Sequence, residues 1–234
     1  MQKKSIRKNG KSVRRRGMSH FRRVTIFDLD RTLIRGNASM LFFRYLQKRL
    51  DLSFGMMFAS LSYFFRHQYM NLSLNQLHSE VFQLYLHSRP KSLLTNNIPG
   101  FLKELLPKTL YIPAILQLRT AQQMGHYTLI LSNSPDFIVE PIAKYLKVDY
   151  WKGTQYMVDK EGCFDKIGFV LDGPAKAQVL RQVCRELNID RIDTTVYSDS
   201  IHDLELLEIS GTPVVVNPDR KLRLISEQKN WHVI

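Results

Sequence analysis

Two aspartates stand close together where an apolar stretch ends near the beginning of the chain. Val24 and Ile26 alternate as in a buried strand, and Asp28 and Asp30 follow them. A carboxylate that attacks phosphorus forms an aspartyl-phosphate, while a second carboxyl group protonates the leaving oxygen and later deprotonates the hydrolytic water. The pair therefore predicts Asp28 as a nucleophile and Asp30 as a general acid/base. An ordinary polar strand end has the same appearance, because short motifs produce many false positives.

A second pair of aspartates, Asp199 and Asp203, follows the apolar run Thr195–Tyr197. A phosphate dianion beside a carboxylate nucleophile requires a cation, and Mg²⁺ takes carboxylate and phosphate oxygens together with waters. The pair is therefore predicted to supply a Mg²⁺ site. Taken by itself, Asp203 equally fits the cap of a helix.

Ser132 and Lys176 are the candidates for holding a phosphate. Ser132 ends the apolar run Thr128–Leu131 and precedes Asn133, so its hydroxyl and the following backbone N–H groups can bind phosphate at a helix N-terminus. Lys176 stands at the start of a predicted helix, where a cation is disfavoured unless an anion compensates it. Phosphate and Asp28 would be such anions. The alternatives are that Ser132 only caps a helix and that Lys176 is solvated.

The predicted strands and helices that carry these residues alternate along the chain. This alternation is typical of a parallel, doubly wound sheet, whose crossovers bring the strand ends to one edge. The predicted fold class is therefore α/β, with a Rossmann-like parallel-sheet core. The predicted strands end near residues 28, 132, 199 and 217, and the predicted helices are Pro135–Leu146, Ala175–Leu187 and Leu204–Ile209.

Residues 37–116 break this alternation, since Leu, Phe, Tyr and Met recur there at helical spacing. They predict an inserted helical cap domain, with the core built from residues 21–36 and 117–234. The uncharged segment Leu52 to Phe65 has fourteen residues, whereas a spanning helix needs about 20. We expect no transmembrane segment, and an amphipathic cap helix in this segment, with binding to a membrane surface as the alternative.

Taken together and in order, the motifs resemble those of the haloacid dehalogenase superfamily, in its phosphoserine-phosphatase-like branch. The resemblance extends from about Phe21 to the C-terminus, and the joint set is far more specific than any one motif. It is carried by four segments, Phe27-Asp28-Leu29-Asp30-Arg31-Thr32-Leu33, Leu131-Ser132-Asn133-Ser134-Pro135, Gly173-Pro174-Ala175-Lys176 and Tyr197-Ser198-Asp199-Ser200-Ile201-His202-Asp203.

The resemblance implies a role for each of these side chains in a Mg²⁺-dependent hydrolysis of a small phosphorylated metabolite. Asp28 would be the nucleophile, and Asp30 the general acid/base. The implied helical cap closes over the substrate and excludes water. The implied phosphate ligands are Ser132, Asn133 and Lys176, and the implied Mg²⁺ ligands are Asp28, Asp30 through its carbonyl and Asp199, supported by Asp203.

The chain departs from the family pattern at several positions. Arg31 replaces the commoner Gly, Ser198 replaces the Gly before the metal aspartate, and His202 replaces the Asn before Asp203. Asn37 stands where the phosphoserine enzymes place a Glu that meets the substrate amine. Phosphoserine is therefore not the expected substrate. Transfer of the phosphoryl group to water or to another acceptor is left open.

A basic N-terminal tail carries most of the net charge. Ten Lys and Arg residues precede Asp28, and the formal net charge of the chain is +13. A charge run without apolar periodicity predicts a disordered, solvated segment over residues 1–20, with Met18 as a possible shorter start. The alternative is a tether to an anionic lipid surface or to nucleic acid.

A tether of this kind would be consistent with two other functions. One is a lipid-phosphate phosphatase, acting on a phosphatidylglycerophosphate-like substrate at the membrane surface. The other is a polyanion-binding module whose phosphatase site is vestigial. No long apolar run follows the tail as in a secretory signal, so we expect a cytoplasmic location, at most peripheral at the inner face of the membrane.

Overall fold

A central β-sheet covered by helices forms the part of the protein that the computed structural model describes, residues 21–50 and 74–234. Within these ranges the sheet has seven strands in the order β4-β3-β2-β1-β5-β6-β7. They are β1 Val24–Phe27, β2 Tyr127–Pro135, β3 Tyr150–Val158, β4 Phe164–Phe169, β5 Thr194–Ser198, β6 Thr212–Val215 and β7 His232–Val233.

Neighbouring strands run parallel except at one edge, where β4 pairs antiparallel with β3. The predicted doubly wound parallel sheet is thereby confirmed, with an added antiparallel edge strand. The helices are α1 Ala38–Leu50, α2 Leu74–Tyr85, α3 Ser92–Thr95, α4 Ile98–Glu104, α5 Leu106–Thr109, α6 Ile112–Gln123, α7 Asp136–Leu146, α8 Gly173–Leu187, α9 Leu204–Ile209 and α10 Arg220–Gln228, with 3₁₀ turns at Arg191–Asp193 and Ile201–Asp203.

The strand side chains alternate between two hydrophobic cores, one on each face of the sheet. Phe27 and Ile130 belong to the core that includes residues of α1 and α7, whereas Ile26 and Leu129 belong to the core under α8 and α9. Successive side chains of a strand point to opposite faces, which is why near-continuous apolar strands are stable only when both faces are covered. With both faces covered by helices, the carboxyl ends of the strands are the natural place for a ligand.

Three prolines of the segment between β1 and β2 lie in the first turns of helices. Pro99, Pro107 and Pro113 occupy N1 or N2 of α4, α5 and α6. Proline is favoured there because its missing N–H would have no partner inside the helix and its φ angle already suits the helix. The domain boundary predicted after residue 116 falls inside α6.

Three predictions concern two segments outside the described ranges. The basic tail, with Met18, lies in residues 1–20, and the segment Leu52 to Phe65 lies in residues 51–73. The proposals of a disordered tail, a tether and an amphipathic cap helix therefore stay predictions. Among residues 21–50 and 74–234, no helix is long and apolar enough to cross a membrane.

Candidate active site

A buried lysine joins two aspartates at the carboxyl ends of the central strands. Lys176 lies in the first turns of α8 and is 2% exposed. Its Nζ donates to Asp28 Oδ1 at 2.6 Å and to Asp203 Oδ2 at 2.8 Å. Although burial disfavours the ammonium, the carboxylates of Asp203 and Asp28 raise the pKa of Lys176 above its ordinary value. Lys176 is therefore a buried cation rather than a solvated surface residue.

Asp28 follows β1 directly and remains tied to the sheet, because its N–H donates to the carbonyl of Tyr197 in β5 at 2.9 Å. Its side chain is buried. Burial raises the pKa of Asp28 well above its ordinary value, and the ammonium of Lys176 opposes this shift. The carboxylate is thus largely removed from water and held by one strong cationic contact, which suits a nucleophile that must shed little water before it reacts.

Asp30 lies in the turn after β1, and three groups donate hydrogen bonds to its carboxyl group. The N–H of Ala38 in the first turn of α1 reaches Oδ1 at 2.6 Å. The hydroxyls of Ser134 and Ser132 reach Oδ2 at 2.7 Å and 3.3 Å. Burial nevertheless raises the pKa of Asp30 above its ordinary value. A carboxyl group with a raised pKa and a fixed orientation is suited to give up and take back a proton.

A bulged loop within the end of β2, residues 132–135, serves the site rather than the following helix. The N-cap of α7 is Pro135, and no side chain caps it. The alternative that Ser132 merely caps this helix is therefore wrong. Asn133 lies beside Ser132, and its Oδ1 atom is buried without a hydrogen-bond partner among the described residues. The structure thus places Ser132 and Ser134 against Asp30, with Asn133 between them on the same loop.

Asp199 lies just after β5, is 3% exposed and faces the turn that follows β1. Arg31 Nε lies 2.9 Å from Asp199 Oδ2, and the Thr32 hydroxyl lies 3.4 Å from Oδ1. Burial raises the pKa of Asp199 to about 7, and the Arg31 guanidinium opposes the shift. From the sequence Arg31 was only a departure from the commoner Gly, so its contact with Asp199 was missed.

Asp203 occupies the N-cap position of α9, but its side chain makes no capping hydrogen bond. Instead, Oδ2 accepts from Lys176 and from the Ser198 hydroxyl, the latter at 2.8 Å. Its Oδ1 is buried without a partner among the described residues. The helix-cap interpretation is therefore wrong, and Asp203 belongs to the charged cluster.

Asp219, which was not predicted as a site residue, holds the loop that carries Asp199. Its backbone N–H donates to the Asp199 carbonyl at 3.1 Å. Its Oδ2 accepts from the N–H of Ile201 at 3.0 Å, and its Oδ1 accepts from the N–H of Leu222 at 2.8 Å. The start of α10 is thereby fixed to both sides of the Asp199 loop.

The charges of this cluster suit a hard divalent cation. Four carboxyl groups face two cationic side chains, and burial raises the pKa of three of the carboxyl groups. Within residues 21–50 and 74–234, no group of three or more His, Cys, Asp or Glu side chains is placed so that it could hold a metal ion by itself. Mg²⁺ does not need one, because it keeps several waters and binds through one or two carboxylates and substrate phosphate. The donor set, including the unpaired Asp203 Oδ1, fits such a cation.

Gly173, the first residue of α8, lies against the loop that carries Asp203. A Cβ atom on Gly173 would lie 1.8 Å from the carbonyl oxygen of His202, which is backbone and cannot rotate away. We expect Gly173→Ala to reduce the free energy of unfolding by roughly 2 kcal/mol or more, measured by chemical denaturation. It should also displace Lys176 from Asp203.

Gly125→Ala is the control for this substitution. Gly125 has a φ of +74° and no atom within 4 Å of the added Cβ, so its replacement measures backbone strain without overlap. That strain costs about 1 kcal/mol. A loss at Gly173 no larger than the loss at Gly125 would contradict close packing of α8 on the Asp203 loop.

Comparisons with known proteins point to one enzyme family. A model of the haloacid dehalogenase-like hydrolases matches residues 25–208. The chain is 31% identical to the inhibition of morphological differentiation protein of Streptomyces azureus over 134 residues, 57% of this chain and 48% of that protein. It is 28% identical to a histidinol-phosphatase of Neisseria meningitidis over 222 residues, 90% of this chain and 97% of that protein. The chain thus spans about half the length of the Streptomyces relative.

Solved structures share the fold. A protein of unknown function from Bordetella pertussis Tohama I superposes with a TM-score of 0.79 at 22% identity, covering 92% of this chain and 98% of that one. A phosphoserine phosphatase, solved as a phospho-aspartyl intermediate analogue, gives a TM-score of 0.68 at 18% identity over 91% and 92% of the two chains. The family match covers most of the chain, including all seven candidate site residues. The chain therefore belongs to the haloacid dehalogenase-like hydrolases.

Proposed function

We propose that this protein is a phosphatase that hydrolyses a phosphomonoester of a small metabolite through an aspartyl-phosphate on Asp28. One observation carries the proposal. The carboxyl ends of the neighbouring parallel strands and the first turns of α8 bring together the buried carboxylate of Asp28, the carboxyl group of Asp30 and the buried ammonium of Lys176. Asp28 and Lys176 are in contact although they are 148 positions apart in the chain. This is the set of groups that phosphoryl transfer through a carboxylate requires.

In the first step, a carboxylate oxygen of Asp28 attacks phosphorus, and the bond from phosphorus to the leaving oxygen breaks. Asp30 donates its proton to that oxygen, so that the alcohol leaves neutral. Ser134, Ser132 and the N–H of Ala38 orient the Asp30 carboxyl group for this transfer. Burial raises the pKa of Asp30, which favours the protonated form that the step needs.

In the second step, water attacks phosphorus and the bond to the Asp28 oxygen breaks. The proton of the water returns to Asp30, and inorganic phosphate is released with Asp28 restored. Lys176 keeps its charge throughout, because Asp203 stays ionised beside it and the phosphoryl group supplies negative charge while Asp28 is phosphorylated. It offsets the negative charge of the phosphoryl oxygens in a buried site, where such a contact is stronger than in water.

We propose Asp28, the Asp30 carbonyl and Asp199 as the ligands of Mg²⁺, with Asp203 supporting them. When bound, Mg²⁺ neutralises phosphoryl charge that would otherwise repel the attacking carboxylate. Two observations support this assignment. Burial raises the pKa of Asp199, and Asp203 Oδ1 is buried without a hydrogen-bond partner among the described residues.

The pH dependence of stability should report the cost of burying these carboxylates. Burial raises the pKa of Asp199 to about 7. A carboxyl group with a raised folded-state pKa stabilises the fold fully below its unfolded pKa, and this contribution is lost as pH rises through the folded pKa. In chelator, raising the pH from about 5 to about 8 should therefore lower the melting temperature more in the wild type than in Asp199→Asn, by roughly 4 °C or more.

Mg²⁺ should reverse this loss in the wild type, raising the melting temperature more at the higher pH, where the carboxylates are ionised. Differential scanning fluorimetry with chelator or Mg²⁺ measures both effects. Identical pH dependence in the wild type and in Asp199→Asn would show that the folded protein does not raise the pKa of this group.

The structure also bears on the substrate through Asn37. Its Oδ1 accepts from the N–H of Met40 at 3.1 Å, so Asn37 holds the first turn of α1. An uncharged side chain that is already engaged gives a substrate amine no negative partner at this position. This supports the expectation that phosphoserine is not preferred. The Neisseria relative makes histidinol phosphate a compound to test.

The direct test is an assay of the purified chain against an aryl phosphate and a panel of phosphorylated metabolites, including histidinol phosphate and phosphoserine. The panel is run with Mg²⁺ and with chelator, and phosphatidylglycerophosphate in vesicles is included. We expect Mg²⁺-dependent release of phosphate from at least one soluble phosphomonoester. Release only from the lipid would replace the metabolite proposal with a lipid-phosphate phosphatase. A folded protein without activity on any compound would contradict hydrolysis of phosphomonoesters of these classes.

A further inference from the structure

We infer that Thr154 is a positioning residue that joins the two phosphate-holding parts of the site into one unit. The inference rests on the proposed function in that phosphate is the ligand. Thr154 lies in β3 and is fully buried, and the two hydrogen bonds of its hydroxyl are to backbone groups rather than to the charged side chains described above. Its role is therefore to act through the loops that it holds.

The Thr154 hydroxyl makes two hydrogen bonds in opposite directions. It donates to the Asn133 carbonyl at 2.6 Å, and it accepts from the N–H of Leu171 at 3.2 Å. One side chain thus links the bulged loop within the end of β2 to the segment that leads into α8. A hydroxyl suits this position because it is donor and acceptor at once.

On one side of this link, the loop bulges out of the sheet. Leu131 pairs with Lys152 and Pro135 pairs with Thr154, so four positions of β2 span two positions of β3. The intervening residues include Ser132 and Asn133, the proposed phosphate ligands. Two extra residues cannot keep the regular ladder, so the loop depends on other contacts for its shape.

Gly153 provides a close backbone contact next to this link. A Cβ atom at Gly153 would lie 2.8 Å from the Ser134 carbonyl oxygen and 3.0 Å from Asp136 Cα. The backbone of β3 therefore packs directly against the loop, while Thr154 fixes the loop through the hydrogen bond to the Asn133 carbonyl. Together they determine where Ser132 and Ser134 present their hydroxyls to Asp30.

On the other side of the link, Leu171 precedes Asp172, the N-cap residue of α8. The Asp172 side chain accepts from the N–H of Ala175 at 3.0 Å, and its carbonyl accepts from the N–H of Lys176 at 2.8 Å. A shift of Leu171 would therefore move the first turn of α8 and Lys176 with it. Ser132 and Lys176 are held at a fixed separation through Thr154.

Thr154→Val removes the hydroxyl while nearly preserving the shape of the side chain. It leaves the Asn133 carbonyl and the Leu171 N–H buried without a partner, and such groups are costly. The loop and the α8 segment can recover hydrogen bonds only by moving. We expect the dissociation constant of inorganic phosphate, measured by calorimetry in Mg²⁺, to rise about tenfold, since small displacements of positioned groups have effects of at least this size.

Thr194 supplies a matched control in the same sheet. Its buried hydroxyl donates to the Arg191 carbonyl at 2.6 Å and accepts from the N–H of Gly211 at 3.1 Å. Thr194 begins β5, at the end of the strand opposite the Asp199 loop. Thr194→Val should lower the melting temperature about as much as Thr154→Val. It should leave the affinity for phosphate within about twofold of the wild type, because substitutions far from a site do not couple to the groups in it.

Thr154→Ser keeps both hydrogen bonds and should restore the affinity for phosphate. With an active substrate, Thr154→Val should raise KM more than it lowers kcat, because the phosphate ligands are displaced while Asp28 stays tied to the sheet through its own N–H. Equal phosphate affinity in Thr154→Val and Thr194→Val would overturn the inference. If Thr154→Val does not fold, Thr154→Cys, with its weaker donor and acceptor, serves in the same comparison.

The two proposals fail in different ways. A wild-type protein that binds phosphate but hydrolyses no phosphomonoester removes the proposed function, and the Thr154 comparison by phosphate binding still decides the inference. A wild-type protein that binds no inorganic phosphate in Mg²⁺ would overturn the inference about Thr154.

Discussion

Asp28→Asn is expected to reduce turnover by roughly a thousandfold or more while the protein stays folded. The amide has nearly the shape of the carboxylate but cannot attack phosphorus. Burial raises the pKa of Asp28, so the folded protein disfavours the charge that the substitution removes. The melting temperature should therefore be unchanged or higher. Steady-state phosphate release and thermal melting measure the two effects on the same sample.

Asp165→Asn is the matched control, because Asp165 lies exposed on the edge strand β4. It should retain full activity. The proposed intermediate gives a further test, in which labelled substrate is mixed with wild type and quenched with acid. Label that is released by hydroxylamine and maps to the peptide containing Asp28 supports an aspartyl-phosphate. Undiminished Mg²⁺-dependent turnover in Asp28→Asn would rule out Asp28 as the nucleophile.

Lys176→Met is expected to cost stability as well as activity. Methionine fills a similar volume, but the substitution leaves Asp28 and Asp203 buried without the ammonium that contacts both of them. Breaking a buried ion pair from one side typically costs about 3–5 kcal/mol. For a chain of this size that corresponds to a fall in melting temperature of roughly 10 °C. Turnover should fall strongly, because the proposed phosphate contact is lost.

Two comparisons separate charge burial from simple loss of a lysine. Lys144→Met breaks an exposed ion pair, in which the Lys144 side chain is 52% exposed and the Glu140 side chain 41%. This substitution should change the free energy of unfolding by less than about 1 kcal/mol. Adding Asp28→Asn to Lys176→Met removes one of the two stranded carboxylates and should recover part of the lost stability. Equal losses for Lys144→Met and Lys176→Met would contradict a desolvated charge cluster.

The parallel sheet and the identity of the charged residues were predictable because both depend on local patterns. Apolar strands that end in polar residues mark the strand ends of a doubly wound sheet, and those ends meet at one edge whatever the length of the connections. Asp28, Ser132 and Asp199 each follow or end such a strand, and the structure brings them together. The resemblance to the haloacid dehalogenase superfamily rested on the same residues and is confirmed by the family match. Their catalytic roles stay proposals until they are tested.

The edge of the sheet was less predictable. The hairpin β3–β4 was missed, because β3 carries Lys152, Gly153 and Gln155 among its apolar residues and β4 is largely exposed. Strands with mixed patterns are stabilised by their pairing partner rather than by their own periodicity. The short β7 was missed for the same reason, since its two residues are both exposed.

The sequence by itself determined which side chains are the candidates for the chemistry, because residue type and spacing along a strand or helix are local properties. Only the tertiary structure decided what those side chains contact. It showed Lys176 between Asp28 and Asp203, Arg31 on Asp199, and Thr154 between two loops. A buried polar side chain bonds to the donors and acceptors that the fold places beside it. Most of these partners lie far away in sequence, so local patterns do not reveal them.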